Sequence, residues 1–111
     1  MTIKIIDEKN CPVRATMDII GGKWKPVILY YIKAEGVCRF GELRRYIPQI
    51  TKKMLTQQLR ELESDGIVNR KVYQQVPPRV DYSLTKSGKT LEPILQSMAD
   101  WGAAHRARKQ R

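Results

Sequence analysis

Up to Gly66 the apolar residues of this chain recur at three- and four-residue intervals. From Val68 to Leu84 they alternate with polar ones, and after Thr85 the longer interval returns. That pattern predicts a run of helices, then a hairpin of two strands, then a last helix. Ahead of it, Ile3 and Ile5 alternate with polar neighbours and residues 7–10 are polar, which reads as an N-terminal arm over 1–10 packing on the body or on a partner chain. Cys11-Pro12 opens the first helix, since a proline at the first helical position gives up no hydrogen bond. Val13, Met17 and Ile20 share one of its faces, and Gly21-Gly22 supplies the stop. Lys23-Trp24-Lys25-Pro26 starts a second helix that ends near Glu35-Gly36; its apolar run, Val27 to Ile32, marks it as buried on all sides.

Arg39 to Ile47 forms a third helix with Phe40, Leu43 and Ile47 at core spacing. The joint Pro48-Gln49-Ile50-Thr51 breaks it. Thr51 then caps a fourth helix that runs to Asp65, with Gly66 in the stop position. Met54, Leu55, Leu59 and Leu62 make its apolar stripe, while the opposite face reads Lys52, Lys53, Thr56, Gln57 and Arg60, all hydrogen-bond donors with no carboxylate. Glu61, Glu63 and Asp65 gather towards its C-terminal half. Of the two strands that follow, one carries Val68, Arg70 and Val72 and the other Val80, Tyr82 and Leu84; Gln74-Gln75-Val76-Pro77-Pro78-Arg79 forms a stiff, exposed tip ending in a guanidinium. Thr85 caps the final helix, which places Leu91, Ile94, Leu95, Met98 and Trp101 on one side and is expected to kink at Pro93.

The fold class expected is therefore mainly α with a small antiparallel β-hairpin: helix, helix, helix–turn–helix, hairpin, helix. In a helix–turn–helix the second helix lies in the major groove of DNA, and the hairpin directly after it is a wing able to reach phosphates or the adjacent minor groove. A groove-reading helix needs an outward face of donors that tolerates dense negative charge. Lys52, Lys53, Thr56, Gln57 and Arg60 meet that need: Arg and Lys pair with guanine O6/N7, Gln with adenine N6/N7, and the Thr56 methyl meets a thymine methyl. Arg79 at the wing tip, and Arg39, Arg44 and Arg45 on the preceding helix, are candidates for phosphates, with plain solvation as the alternative. For the donor face of the fourth helix the bland alternative is an ordinary solvated helix surface.

Charge supports the nucleic-acid reading. The chain has 111 residues with 21 Lys+Arg against 11 Asp+Glu, a formal net charge of +10. Arg106, Arg108, Lys109 and Arg111 account for four of these, and removing them from +10 leaves +6 on the body. A basic domain of this size points to nucleic acid or another anionic surface. The same length limits the chain to one domain, placed at 11–102, with 103–111 as a basic tail read as disordered or as adding non-specific phosphate contacts. No apolar stretch approaches the ~20 residues that span a bilayer. The start, Met1-Thr2-Ile3-Lys4, lacks the layout of a secretory signal, so a cytoplasmic protein with reduced thiols is expected. Cys11, Cys38 and His105 are too few for a four-ligand zinc site, and neither a catalytic centre, a metal nor a cofactor is expected.

The segments Cys11-Pro12, Ile20-Gly21-Gly22-Lys23-Trp24, Arg39-Phe40-Gly41-Glu42-Leu43, Lys53 to Leu62 and Val76-Pro77-Pro78-Arg79-Val80-Asp81-Tyr82-Ser83-Leu84-Thr85 resemble the HxlR family of bacterial regulators, winged-helix proteins related to the MarR group. The likeness covers about 11–102 and leaves out the arm and the tail. It implies a homodimer held by the first and last helices, here the Val13/Met17/Ile20 and Leu91/Ile94/Leu95/Met98/Trp101 faces. It also implies repression or activation at pseudo-palindromic operators, and in some members sensing of quinones, aldehydes or oxidants through the cysteine that corresponds to Cys11. Cys38 stands where such regulators usually carry an aliphatic residue and is expected to be a small buried hydrophobe.

Simple physics leaves two readings open at each of these places. Cys11 at a helix N-terminus, with Arg14 one turn on, favours the reactive thiolate, yet a lone cysteine is often inert packing. The stripe of the last helix either meets a second copy, which sets two recognition helices ~34–36 Å apart on a duplex, or folds back on its own domain. Trp24 and Trp101 are expected in core or interface, and His105 in solvent. The rival function is a non-specific nucleic-acid-binding or architectural protein. That would want exposed aromatics for stacking, for which Tyr73 alone is placed.

Overall fold

The computed structural model describes residues 10–110; the arm, apart from Asn10, and Arg111 lie outside them. Six helices and three strands follow in the order α1 (Pro12–Ile20), α2 (Lys25–Glu35), β1 (Val37–Arg39), α3 (Phe40–Tyr46), α4 (Lys52–Ser64), β2 (Val68–Tyr73), β3 (Arg79–Leu84), α5 (Lys86–Lys89) and α6 (Glu92–Lys109). The sheet is antiparallel, in the order β1-β3-β2. This is the expected winged helix–turn–helix, with one strand more than the alternation pattern signals. β1 has only three residues, too few to show a period, and pairs Cys38 with Tyr82 at the foot of the wing.

The core gathers one face of every long element: Ile20, Ile28, Leu29, Ile32, Leu43, Leu55, Leu59, Leu62, Val68, Leu84 and Leu95 are buried in one cluster. Position-specific chemistry ends the helices where expected. Gly22 and Gly66 take positive φ (93° and 73°), and past Gly66 the Ile67 N–H bonds back to the Leu62 carbonyl at 2.9 Å, satisfying an otherwise orphaned group. The α2 prediction needs correction. Ile28, Leu29 and Ile32 are buried, but Val27 is exposed and Tyr30 half-buried, because α6 covers only part of that side. The last helix also differs. Thr85 caps the separate short turn α5, and α6 starts afresh at Glu92 with Pro93 in its first turn, where proline needs no kink. Beyond Gly102 the chain stays helical to Lys109, so Arg106, Arg108 and Lys109 extend α6 instead of lying in a disordered tail.

One hydroxyl joins the exit of α4 to the root of the hairpin. Thr85 Oγ1 donates to the Gly66 carbonyl (2.6 Å), at the exit of α4, and accepts from the Gly88 N–H (2.9 Å), just past the end of β3. Gly88 fits there because a Cβ would collide with the Ile67 carbonyl.

Candidate nucleic-acid interface

α4 is held from behind and offered in front. Thr51 accepts from the Met54 N–H (3.0 Å), an N-cap worth about 1 kcal/mol, and Leu55, Leu59 and Leu62 seat the helix in the core. Lys52, Lys53, Gln57 and Arg60 stand exposed on the other side, with Thr56 half-buried among them. Thr56 differs in one respect from the donor role expected: its hydroxyl already donates to the Lys52 carbonyl (2.9 Å), so it offers a methyl and a lone pair.

Lys25, which carried no signal in the sequence, is the buried partner of this helix. Its side chain is 9% exposed, and Nζ donates to Glu61 Oε1 at 2.7 Å. The hydrogen bond and charge of Lys25 hold the Glu61 carboxyl below its ordinary range against the opposing effect of burial, with the Gln57 amide adding to the same direction. The nearest carboxylate on α4 is thereby neutralised by a partner inside the fold.

The foot of the wing holds a second charge cluster. Asp81 is buried on β3, opposite Lys71 of β2 and Arg39 of β1 in register. Arg79 grips it with two bonds, Nε to Oδ1 at 3.0 Å and Nη2 to Oδ2 at 3.1 Å; Arg39 Nε lies 4.0 Å from Oδ1. The Arg79 bond is the main reason the Asp81 carboxyl stays low and the guanidinium is raised. Both the Arg79 guanidinium and the Lys71 ammonium lie 4.9 Å from the centre of the Tyr73 ring. Arg79 therefore does not stand at the tip as expected. It opens β3, fixed by a buried carboxylate that needs a forked donor, and the exposed tip is 74–78. Three cations around one carboxylate still leave this foot positive. Arg44 and Arg45 are exposed at the C-terminal end of α3, and Arg39 precedes it, its N–H bonding to Glu42 Oε1 (2.8 Å).

The two thiols are free and differ in access. Cys11 is half-buried at the N-cap of α1. Cys38 is fully buried, its Sγ 3.7 Å from the Tyr31 carbonyl, and burial, then Glu42 and Glu35, push its pKa up to about 11. It is thus the small hydrophobe expected. The stability this thiol contributes is complete below its ordinary pKa of about 9 and is lost as pH rises towards about 11. Near neutral pH, excess maleimide is expected to label Cys11 alone in the folded protein and Cys38 only in denaturant; mass spectrometry finding Cys38 labelled in the folded state would contradict its burial.

The expected interface stripe is split by the packing of α6 on α2. Leu95 is buried in the chain's own core and Leu91 packs against it, so Leu95 has no surface to offer a partner; Ile20 of α1 is buried likewise. Ile94, Met98 and Trp101, at i, i+4 and i+7, are exposed together, as are Val13 and Met17 of α1. His105 is not simply solvated but stacks on Trp101, centroids 4.8 Å apart. Between α2 and α6 runs an apolar groove of about 620 Å³ lined by Val27, Tyr30, Met98 and Gly102, with Arg106 at its edge. Lys33 Nζ bonds to Gln96 Oε1 (2.8 Å) between the same two helices.

The family described as HxlR-like helix-turn-helix matches residues 19–110, from the end of α1 through α6. The chain belongs to this family. The uncharacterized HTH-type transcriptional regulator YdeP of Bacillus subtilis (strain 168) is 55% identical over 102 residues, 92% of this chain and 79% of YdeP. Among solved structures, the redox regulator HypR in its oxidized form is 58% identical with a TM-score of 0.81, covering 85% of this chain and 96% of HypR. Its reduced form is 55% identical with a TM-score of 0.83, covering 90% and 98%. The HxlR-family chain is a helix–turn–helix transcription regulator, and its relatives are regulators and not enzymes. Among the described residues no His, Cys, Asp or Glu cluster is placed to hold a metal ion, and no helix is long and apolar enough to cross a membrane.

Proposed function

We propose that this HxlR-family regulator is a sequence-specific, homodimeric DNA-binding protein of the cytoplasm that places α4 in the major groove of a pseudo-palindromic operator. The observation that carries this reading is the face of α4: four exposed donors at helical spacing, with the adjacent Glu61 neutralised from inside by Lys25. Lys52 and Lys53 meet phosphates or guanine, Gln57 meets adenine, Arg60 meets guanine, and the Thr56 methyl meets thymine. Arg39, Arg44 and Arg79 hold phosphates beside the groove. Residues 11–102 form the DNA-binding and dimerisation unit. Val13, Met17, Ile94, Met98 and Trp101, with Leu91 behind the last three, supply the dimer contact, since exposed apolar side chains on α1 and on α6 favour a second copy. Cys11 makes the regulator responsive to an oxidant or an electrophile. Its half-open site at a helix N-terminus supports this, as does the likeness to HypR, a redox regulator solved in both oxidation states.

Fluorescence anisotropy against duplex from upstream of its own gene, with a random duplex as control and at fixed salt, tests the reading. Tight, selective binding that changes on mild thiol oxidation and no longer changes in Cys11→Ser is expected. Gln57→Ala is expected to relax preference at one base step, and Lys52→Ala to weaken all duplexes alike and reduce the salt slope by about one unit. Equal binding to random DNA and to every member of a selected-sequence pool would favour an architectural protein instead. Selective binding indifferent to oxidation would return Cys11 to packing.

A further inference from the structure

Lys25 and Glu61 are joined across the fold, from the first turn of α2 to the third turn of α4, at 2.7 Å. The ammonium is nine-tenths buried, so the pair cannot part without leaving a buried charge unmatched; the carboxylate keeps 44% of its surface and opens towards the reading face. Gln57 precedes Glu61 by four residues, one turn along the same face, and both line one shallow concavity with Lys53, Thr56 and Arg60.

We propose that Glu61, fixed by Lys25, is a specificity-determining residue that commits the Gln57 amide to adenine. The inference rests on α4 reading the major groove. A carboxylate only accepts hydrogen bonds, and the Lys25 bond to Oε1 leaves Glu61 Oε2 able to accept from the Gln57 amide nitrogen. A primary amide has two N–H groups. The one anti to its carbonyl goes to Glu61, which leaves the syn N–H and the carbonyl oxygen side by side as one donor and one acceptor. Adenine offers the matching pair, N7 as acceptor and N6 as donor. Guanine offers two acceptors, N7 and O6, and would need both amide hydrogens; with one held by Glu61 the amide oxygen is set against O6 instead. Lys25 touches no DNA in this scheme and acts through Glu61.

The test is selection from a duplex pool randomised across the half-site, using the full chain. Wild type is expected to enrich adenine at one step, the step that Gln57→Ala loses. Lys25→Met/Glu61→Leu removes both charges at once and leaves no orphan in the core; Glu61→Gln, whose amide oxygen still accepts from Lys25 but whose NH2 cannot accept from Gln57, is the single-site companion. In both variants adenine-over-guanine preference at that step is expected to fall about tenfold while every other position keeps its preference. A merely structural role would weaken all positions together. Undiminished adenine preference in the folded double variant overturns the proposal and leaves the α4 reading standing. A wild-type pool with no enrichment at all, or a Gln57 step that is not adenine, overturns the proposal, and the first of these overturns the α4 reading with it.

Discussion

Trp101→Asp is expected to sediment as a monomer and to bind a two-half-site operator about 100-fold more weakly than wild type, with affinity for an isolated half-site unchanged. Trp101 is 64% exposed and stands with Ile94 and Met98 on the face of α6 turned away from the core. A carboxylate placed there costs the single chain little, since it meets water, but it must be stripped of water wherever this face meets another copy. Tethering two reading heads on one duplex multiplies affinity by about 10²–10⁴ without any new contact to DNA, and that factor is what the variant loses. Analytical ultracentrifugation and anisotropy on whole and half sites measure the two effects separately. A Trp101→Asp chain that stayed dimeric would move the interface off α6.

Leu95→Ala, one residue from Ile94, is expected to behave in the opposite way. Its side chain is 2% exposed inside the core, so truncation removes buried methyl groups and leaves a void between α6 and α2, a loss of about 2–5 kcal/mol of unfolding free energy. Urea titration reads this as a lower midpoint with an unchanged slope. A loss below about 1 kcal/mol would mean that α6 is not seated as described. The two variants divide a stripe that looks uniform in sequence: 3.6 residues per turn sends Leu95 inwards and Ile94, Met98 and Trp101 outwards, and only the position of α2 decides which side is which.

That division marks where the sequence stops being readable. Periodicity and capping residues locate α1, α4, β2 and β3 because Thr51, Gly22 and Gly66 each have one physical use at those positions. The donor face of α4 is legible for the same reason, since Leu55, Leu59 and Leu62 fix which side is buried. Pairings between distant elements leave no such trace. Nothing near Lys25 announces a partner at Glu61, and the alternation of β3 gives Asp81 the look of a solvent position although β1, an element too short to detect, covers it together with Arg39. The pattern therefore puts Arg79 at a free tip, whereas it is engaged by Asp81 two residues along. Pro93 reads as a kink because the break between α5 and α6 falls at Thr90 and Leu91, neither of which is a helix breaker like glycine or proline.

The Thr85 hydroxyl, bonded at once to Gly66 just past α4 and to the first turn after the wing, has a mechanical consequence. Helix and hairpin are riveted at their common root, so neither swings without the other. Backbone amides on both sides of the rivet, at Ile67 and Gly88, belong to one opening event and should exchange with solvent at a common rate. A signal received elsewhere in the chain then has no joint inside the head to act on. In the proposed dimer it would act on the carriage of the head as a rigid tool: how far the head sits from its twin, and at what angle the pair meets the duplex.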